Sequence, residues 1–268
     1  MLKIIPVRLA FAGMIFKCQN MTYTIYFWIA AYYAGNFIES AVRLSENASV
    51  CGIAWRIAYW GAFFIYYKLS RDRGKLSRIG IAAPGSAALH PGIIALYTAA
   101  PAAALCAACL ERGGIPTYGF LKLAERICVD ISAAIVEELL FRGVLLLGIL
   151  GHTKIKTAGA VTISAGLFAA AHLMNLFAGD GLLYTLPQTV FAFCAGICLG
   201  ALAVRTKSII PAVILHTTVN LSSIIIETPA MSGAGIETAA ICALAILYLA
   251  AGLLLLREQT TKERKFTT

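Results

Sequence analysis

Residues 127–151 read ICVDISAAIVEELLFRGVLLLGILG. The stretch is long and apolar enough for a helix that crosses a membrane, which takes about 20 mostly apolar residues. Yet it holds Glu137, Glu138 and Arg142 near its centre and Asp130 two turns earlier. Each central Asp or Arg costs about 2.5–3.5 kcal/mol to insert. Several such groups in one span need partners or a water-filled cavity, and ionisable residues placed this way mark functional sites.

The rest of the chain supplies the setting. Hydrophobic residues make up 60% of the 268 positions and charged residues only 13%, too little polar surface for a soluble domain of this length. Eight stretches approach spanning length: roughly 21–42, 49–69, 89–110, 127–151, 157–178, 186–204, 209–226 and 237–256. None shows the alternation of a membrane β-strand. The expected fold is all-α, a polytopic transmembrane bundle of about eight helices around a buried polar cavity. One integral membrane domain divides into N-terminal helices (1–126), a helical core (127–256) and a basic tail (257–268).

A net charge of +9 invites a nucleic-acid reading, but its distribution argues against one. The cations gather in connectors and tail: Arg71, Arg73, Lys75 and Arg78; Lys154 and Lys156; Arg205 and Lys207; Arg257, Lys262, Arg264 and Lys265. All four groups fall on one side of the bundle, and the positive-inside rule makes that side, with both termini, cytoplasmic. The natural partner is the lipid bilayer, not nucleic acid. Residues 1–20 read as an interfacial amphipathic lead-in, with a cleaved signal peptide as the alternative. The eight cysteines, including Cys106 with Cys109 and Cys194 with Cys198, lie in or beside apolar segments and read as small buried hydrophobes.

Helical spacing sorts the central trio. Glu138 and Arg142, four residues apart, share a face and can pair. Glu137 points about 100° away, which leaves it as the carboxylate free to handle protons. Two other helices carry matching groups. Phe168 and His172 are one turn apart in FAAAHLMN, and His216 and Asn220 share a face in HTTVN. At about 1.5 Å of rise per residue, Glu137, His172 and His216 lie at similar depths. His90 and His152 sit in connectors and carry no such argument. A carboxylate, two imidazoles and an amide suit hydrolysis of a polarised carbonyl, with an activated water and oxyanion donors. The set Glu137, His172 and His216 could instead hold one divalent metal such as zinc.

The ordered motifs Glu137-Glu138-x-x-x-Arg142, Phe168-x-x-x-His172 and His216-x-x-x-Asn220 resemble those of the CPBP intramembrane proteases. That family includes CAAX prenyl endopeptidases and the bacteriocin-processing and immunity proteins also called Abi. The resemblance covers about 127–226. It implies a membrane endopeptidase with a site opening to the cytoplasm and a peptide or lipidated protein as substrate. Glu137 would activate water with help from His172. His216 and Asn220 would bind the oxyanion or place the water, and Glu138, Arg142 and Phe168 would support them. Members of the family have been described both as metalloproteases and as metal-independent glutamate proteases. A proton-coupled transporter and a non-catalytic immunity-type scaffold are the competing readings of the same buried charges.

Overall fold

The computed structural model describes residues 22–42, 48–69, 79–112, 117–176, 181–226 and 236–267. The expected lead-in at 1–20 and the basic group from Arg71 to Arg78 lie outside them. Among the described residues every regular element is helical, and no strand is present.

The helices are α1 (Thr22–Val42), α2 (Ala48–Leu69), α3 (Pro91–Arg112), α4, α5 (Thr157–His172), α6 (Leu182–Thr206), α7 (Ile210–Ile226) and α8 (Ile236–Thr267). Helix α4 is a continuous rod in three parts: an α-helix over Phe120–Glu138, a π-helical stretch over Leu139–Leu146 and a last α-turn over Leu147–His152. Short 3-10 turns cover Ser86–Leu89 and Leu173–Leu176. Among the described residues the helices number eight, the count expected. Among them four segments are long and apolar enough to cross a membrane: Pro91–Leu110, Thr157–Leu176, Thr185–Thr206 and Ala239–Glu258.

Several boundaries differ from expectation, among them the end of α8, which runs on through the expected tail to Thr267, and two beside the candidate site. Helix α4 starts at Phe120, not near 127, because its first polar turns are satisfied within the fold. Ser49 Oγ donates to Glu125 Oε2 at 2.7 Å, and Lys122 Nζ pairs with the same oxygen at 3.0 Å. Helix α5 ends at His172 and tightens into the Leu173–Leu176 turn, so His172 closes the helix instead of lying a turn and a half inside it.

Helix α6 is the hub, packed against α5 on one side and α8 on the other. Every residue from Cys194 to Ala203 is buried. The run CAGICLGALA is almost all small, and small residues let helix backbones approach closely where lipid supplies no hydrophobic drive. The approach is close enough that a Cβ on Gly252 of α8 would stand 2.8 Å from the Cys198 backbone nitrogen. At the front, α1 and α2 meet through aromatic rings, Trp28 edge-on to Tyr59 and Phe63 and Tyr32 tilted against Tyr59, and α2 lies on α4. Of the seven described cysteines only Cys194 and Cys198 are buried; Cys51, Cys106, Cys109 and Cys242 face outwards. The expectation of buried cysteines fails there because lipid suits a small apolar side chain as well as a core does.

The irregular segment 79–85 folds back onto the α6–α7 turn. Ile209 donates its N–H to the Gly80 carbonyl at 2.9 Å, Ser208 Oγ donates to the Ala82 carbonyl at 2.7 Å, and Gly85 donates to the Thr206 carbonyl at 3.0 Å. These bonds satisfy backbone groups that would otherwise be stranded among helices. They also fix the start of α7, and with it the register of His216.

Gly252→Val should loosen the α6–α8 seam and destabilise the protein by about 1–3 kcal/mol, the usual range for overpacking. Thermal unfolding in detergent reads the shift. Gly61→Ala is the control, because a Cβ there meets nothing within 4 Å.

Candidate active site

Helix α4 supplies Asp130, Glu137, Glu138 and Arg142, α5 supplies Phe168 and His172, and α7 supplies His216 and Asn220. At the centre, Glu138 and Arg142 are 0% exposed and joined by a 2.7 Å bond from Nη1 to Oε1. The i,i+4 spacing makes the pair; three other helices complete it. Arg142 Nη2 donates to the Gly196 carbonyl of α6 at 3.3 Å, and the guanidinium carbon lies 4.4 Å over the Phe168 ring. Oxygen Oε1 of Glu138 also meets Nδ1 of His216 at 2.9 Å.

That contact fixes the imidazole. A carboxylate paired with Arg142 accepts hydrogen bonds and donates none, so Nδ1 of His216 carries the proton. Its Nε2 then turns to Glu137 Oε2 at 3.7 Å. This is too long for a direct hydrogen bond, and one water beside both atoms can touch each. The two glutamates leave α4 about 100° apart, as their adjacency requires, yet both reach the same imidazole, one at each nitrogen. Glu138 is sealed in, whereas the Glu137 side chain keeps 26% of its surface.

His172 is fixed by the same logic. Its Nδ1 lies 3.0 Å from the Phe168 carbonyl, which can only accept, so Nδ1 donates and Nε2 keeps its lone pair. The Phe168 ring stands edge-on to both imidazoles, 4.9 Å from His172 and 5.5 Å from His216. It serves as the spacer between them. Asn220 uses Nδ2 to donate to the Asp130 backbone carbonyl at 3.3 Å. An amide nitrogen has two N–H groups, so one remains.

Glu137, Glu138, Arg142, Phe168 and His216 thus form one contact network, His172 joins through Phe168, and Asn220 sits one turn along α7 beside Asp130. The direct Glu138–His216 bond is absent from the sequence reading. Spacing pairs residues on one helix but says nothing of the register between α4 and α7. The π-helical stretch that begins at Leu139 was also unforeseen, although such stretches frequently mark functional sites. Among the described residues no group of three or more His, Cys, Asp or Glu side chains is placed to hold a metal ion. Glu137, His172 and His216 as they stand are not a metal-binding set.

Beside the network lies a cavity of ≈ 530 Å³ between α2, α4 and α7. Its walls are apolar, with Trp60, Phe64, Ile135, Leu139 and Val213 among them and Arg56 at the margin. Trp60 Nε1 donates to Ser132 Oγ at 2.9 Å and holds this wall to α4. The described part of α1 contributes Tyr33, within electrostatic reach of Glu137.

Fold and site together define a membrane helix bundle built around an enclosed carboxylate–imidazole–guanidinium cluster. A family model described as Type II CAAX prenyl endopeptidase Rce1-like matches residues 119–222. That stretch, which holds every group from Asp130 to Asn220, is similar to the CPBP/CAAX protease family. No curated protein and no solved structure matches the chain.

Arg142→Met should destabilise the protein by about 3–5 kcal/mol, because it strands Glu138 as a buried charge without a counter-ion. The double variant Glu138→Gln, Arg142→Met should recover part of that loss. Unfolding midpoints of the two variants in detergent check the order.

Proposed function

We propose that the chain is an intramembrane endopeptidase that hydrolyses a peptide bond in a membrane-associated or lipidated, CAAX-like substrate, with residues 127–256 as its catalytic core. The family supports proteolysis of this kind. The observation that carries the residue assignment is the clamping of His216 between the two adjacent glutamates, Nδ1 on Glu138 and Nε2 beside Glu137.

In this reading a water lies beside Glu137 Oε2, His216 Nε2 and the bare Nε2 of His172. Glu137 takes one proton as the water oxygen attacks the peptide carbonyl carbon. His172 shares in that activation, and His216 holds the water in line. Negative charge develops on the carbonyl oxygen, and the remaining N–H of Asn220 is the amide donor on hand to receive it. Collapse of the tetrahedral species breaks the C–N bond, and the proton held by Glu137 goes to the leaving amine. Glu138 and Arg142 touch no reacting atom; they hold the imidazole. No step needs a metal. The apolar cavity offers room for a hydrocarbon chain next to the site and supports the choice of a lipid-modified substrate.

The decisive experiment compares processed peptides in cells that carry wild type or Glu137→Gln, followed by cleavage assays in nanodiscs. Glu137→Gln, His172→Ala and His216→Ala should each lower the rate by about 10²-fold or more. Asn220→Ala should lower kcat by about 10²–10³. Glu137→Gln should leave the unfolding midpoint close to wild type, since the Glu137 side chain is partly exposed and its 3.7 Å contact with His216 is too long for a hydrogen bond. Activity should survive chelation of divalent ions. Wild-type cleavage by Glu137→Gln would refute the assignment, and Glu137-dependent solute flux in liposomes would favour a transporter.

A further inference from the structure

Helices α5 and α6 run antiparallel, and the seam between them advances along α6 one turn at a time. A Cβ on Gly200 would stand 2.9 Å from the Val161 side chain, and one on Gly196 would stand 3.0 Å from that of Ala165. One turn nearer the start of α6, Ala192 packs with Phe168 and Ala169. Along this part of the seam small residues let the backbones close up, and shape alone holds the two helices. The next turn is different. Gln188, four residues before Ala192, accepts a 2.8 Å hydrogen bond at Oε1 from Asn175 Nδ2.

That bond falls where α5 runs out. The helix ends at His172 and tightens into the 3-10 turn Leu173–Leu176. Residues three apart eclipse in such a turn, so Asn175 stands on the face that carries His172. Burial agrees: from Ala171 to Leu176 only His172 and Asn175 are half-buried, and the other four residues are exposed. Among the described residues the imidazole's hydrogen bond, from Nδ1 to the Phe168 carbonyl, ties it to its own helix and to nothing beyond. Helix ends fray, because their last carbonyls lack partners within the helix. Leu173, Met174 and Leu176 face outwards. The amide pair is therefore the side-chain hydrogen bond that draws this end onto α6.

We propose that Asn175 and Gln188 are positioning residues: their hydrogen bond seats the end of α5 on α6, so that His172 keeps its Nδ1 proton on the Phe168 carbonyl and presents Nε2 to the water. The proposal rests on the endopeptidase reading, in which His172 shares in activating that water. Neither amide touches a reacting atom. A misplacement of about 1 Å at a reacting group can cost about 10²-fold in rate, so a loosened helix end shows in kcat.

The test uses the full chain in nanodiscs and a quenched peptide copied from a sequence that is processed only in cells carrying Glu137. Asn175→Ala and Gln188→Leu should each lower kcat about tenfold or more at nearly unchanged KM. Gln188→Asn should do the same by shortening the reach. Adding Asn175→Gln to it restores the lost methylene and should bring back most of kcat. In protein with nitrogen-labelled histidine, the ring signals of His172, assigned by their loss in His172→Ala, should report one Nδ1–H tautomer in wild type and a mixture in Asn175→Ala. Wild-type kcat in Asn175→Ala, an unmixed tautomer there, or a lowered kcat that the exchanged pair fails to restore would overturn the proposal. In each of these cases cleavage that His172→Ala abolishes leaves the endopeptidase reading standing. Where no sequence is processed in a Glu137-dependent way, that reading falls, and the role of the amide pair in catalysis falls with it.

Discussion

An arginine and a glutamate fully enclosed in a membrane bundle must satisfy each other and their surroundings, and the bond between Arg142 and Glu138 is the constraint around which the site is arranged. Alone, either charge would be very unfavourable in that interior; together they still need further hydrogen bonds. Arg142 finds one at the Gly196 carbonyl, at a place where α6 comes so near α5 that a Cβ on Gly196 would stand 3.0 Å from that of Ala165. Glu138 finds one at His216. The pair therefore ties α4 to α6 and α7, and through the Phe168 ring to α5. Four helices are registered by one ion pair, a use of buried charge that sets specificity of packing more than net stability.

That arrangement divides the labour of two adjacent, chemically identical residues. Glu138 is held as an ionised acceptor and determines which nitrogen of His216 carries the proton. Glu137, one residue earlier, faces the open side and the other nitrogen. Neither could exchange roles, because only the residue four before Arg142 can pair with it on the same face. The π-helical stretch starts directly after this pair, with Leu147 N–H bonded back to the Arg142 carbonyl five residues earlier. Within this stretch the Phe141 carbonyl receives Ser164 Oγ of α5 at 2.8 Å, a further tie between α4 and α5.

Much of this was legible in the sequence, and the exceptions have physical causes. Runs such as Pro91–Leu110 announce their helices because a bilayer demands length and apolarity, and both are properties of a single segment. The Glu138–Arg142 pair was legible for the same reason: helical geometry alone fixes it. The contacts of His216 with both glutamates were not, since they depend on how far α7 slides along α4. That register is set by Gly80, Ala82 and Gly85 gripping the α6–α7 turn. The Asn220–Asp130 contact belongs to the same class. The early start of α4 was hidden because Glu125 looked like a loop residue until Ser49, a long way off in sequence, was seen to donate to it.

The family match covers residues 119–222, but the surroundings of the candidate site extend beyond it. Helix α2 forms one wall of the apolar cavity through Trp60 and Phe64, and Ile81 of the folded-back segment forms part of another. Trp60 is anchored to Ser132, one turn and a half before Glu137, so a shift of α2 would be felt on the rod that carries both glutamates. The candidate site residues lie on α4, α5 and α7, which the buried ion pair ties together. Part of the space beside them is shaped by α2 and by Ile81, which the ion pair does not touch. Substitutions in α2 that keep the Trp60–Ser132 bond can therefore change the shape of the cavity without touching the buried ion pair.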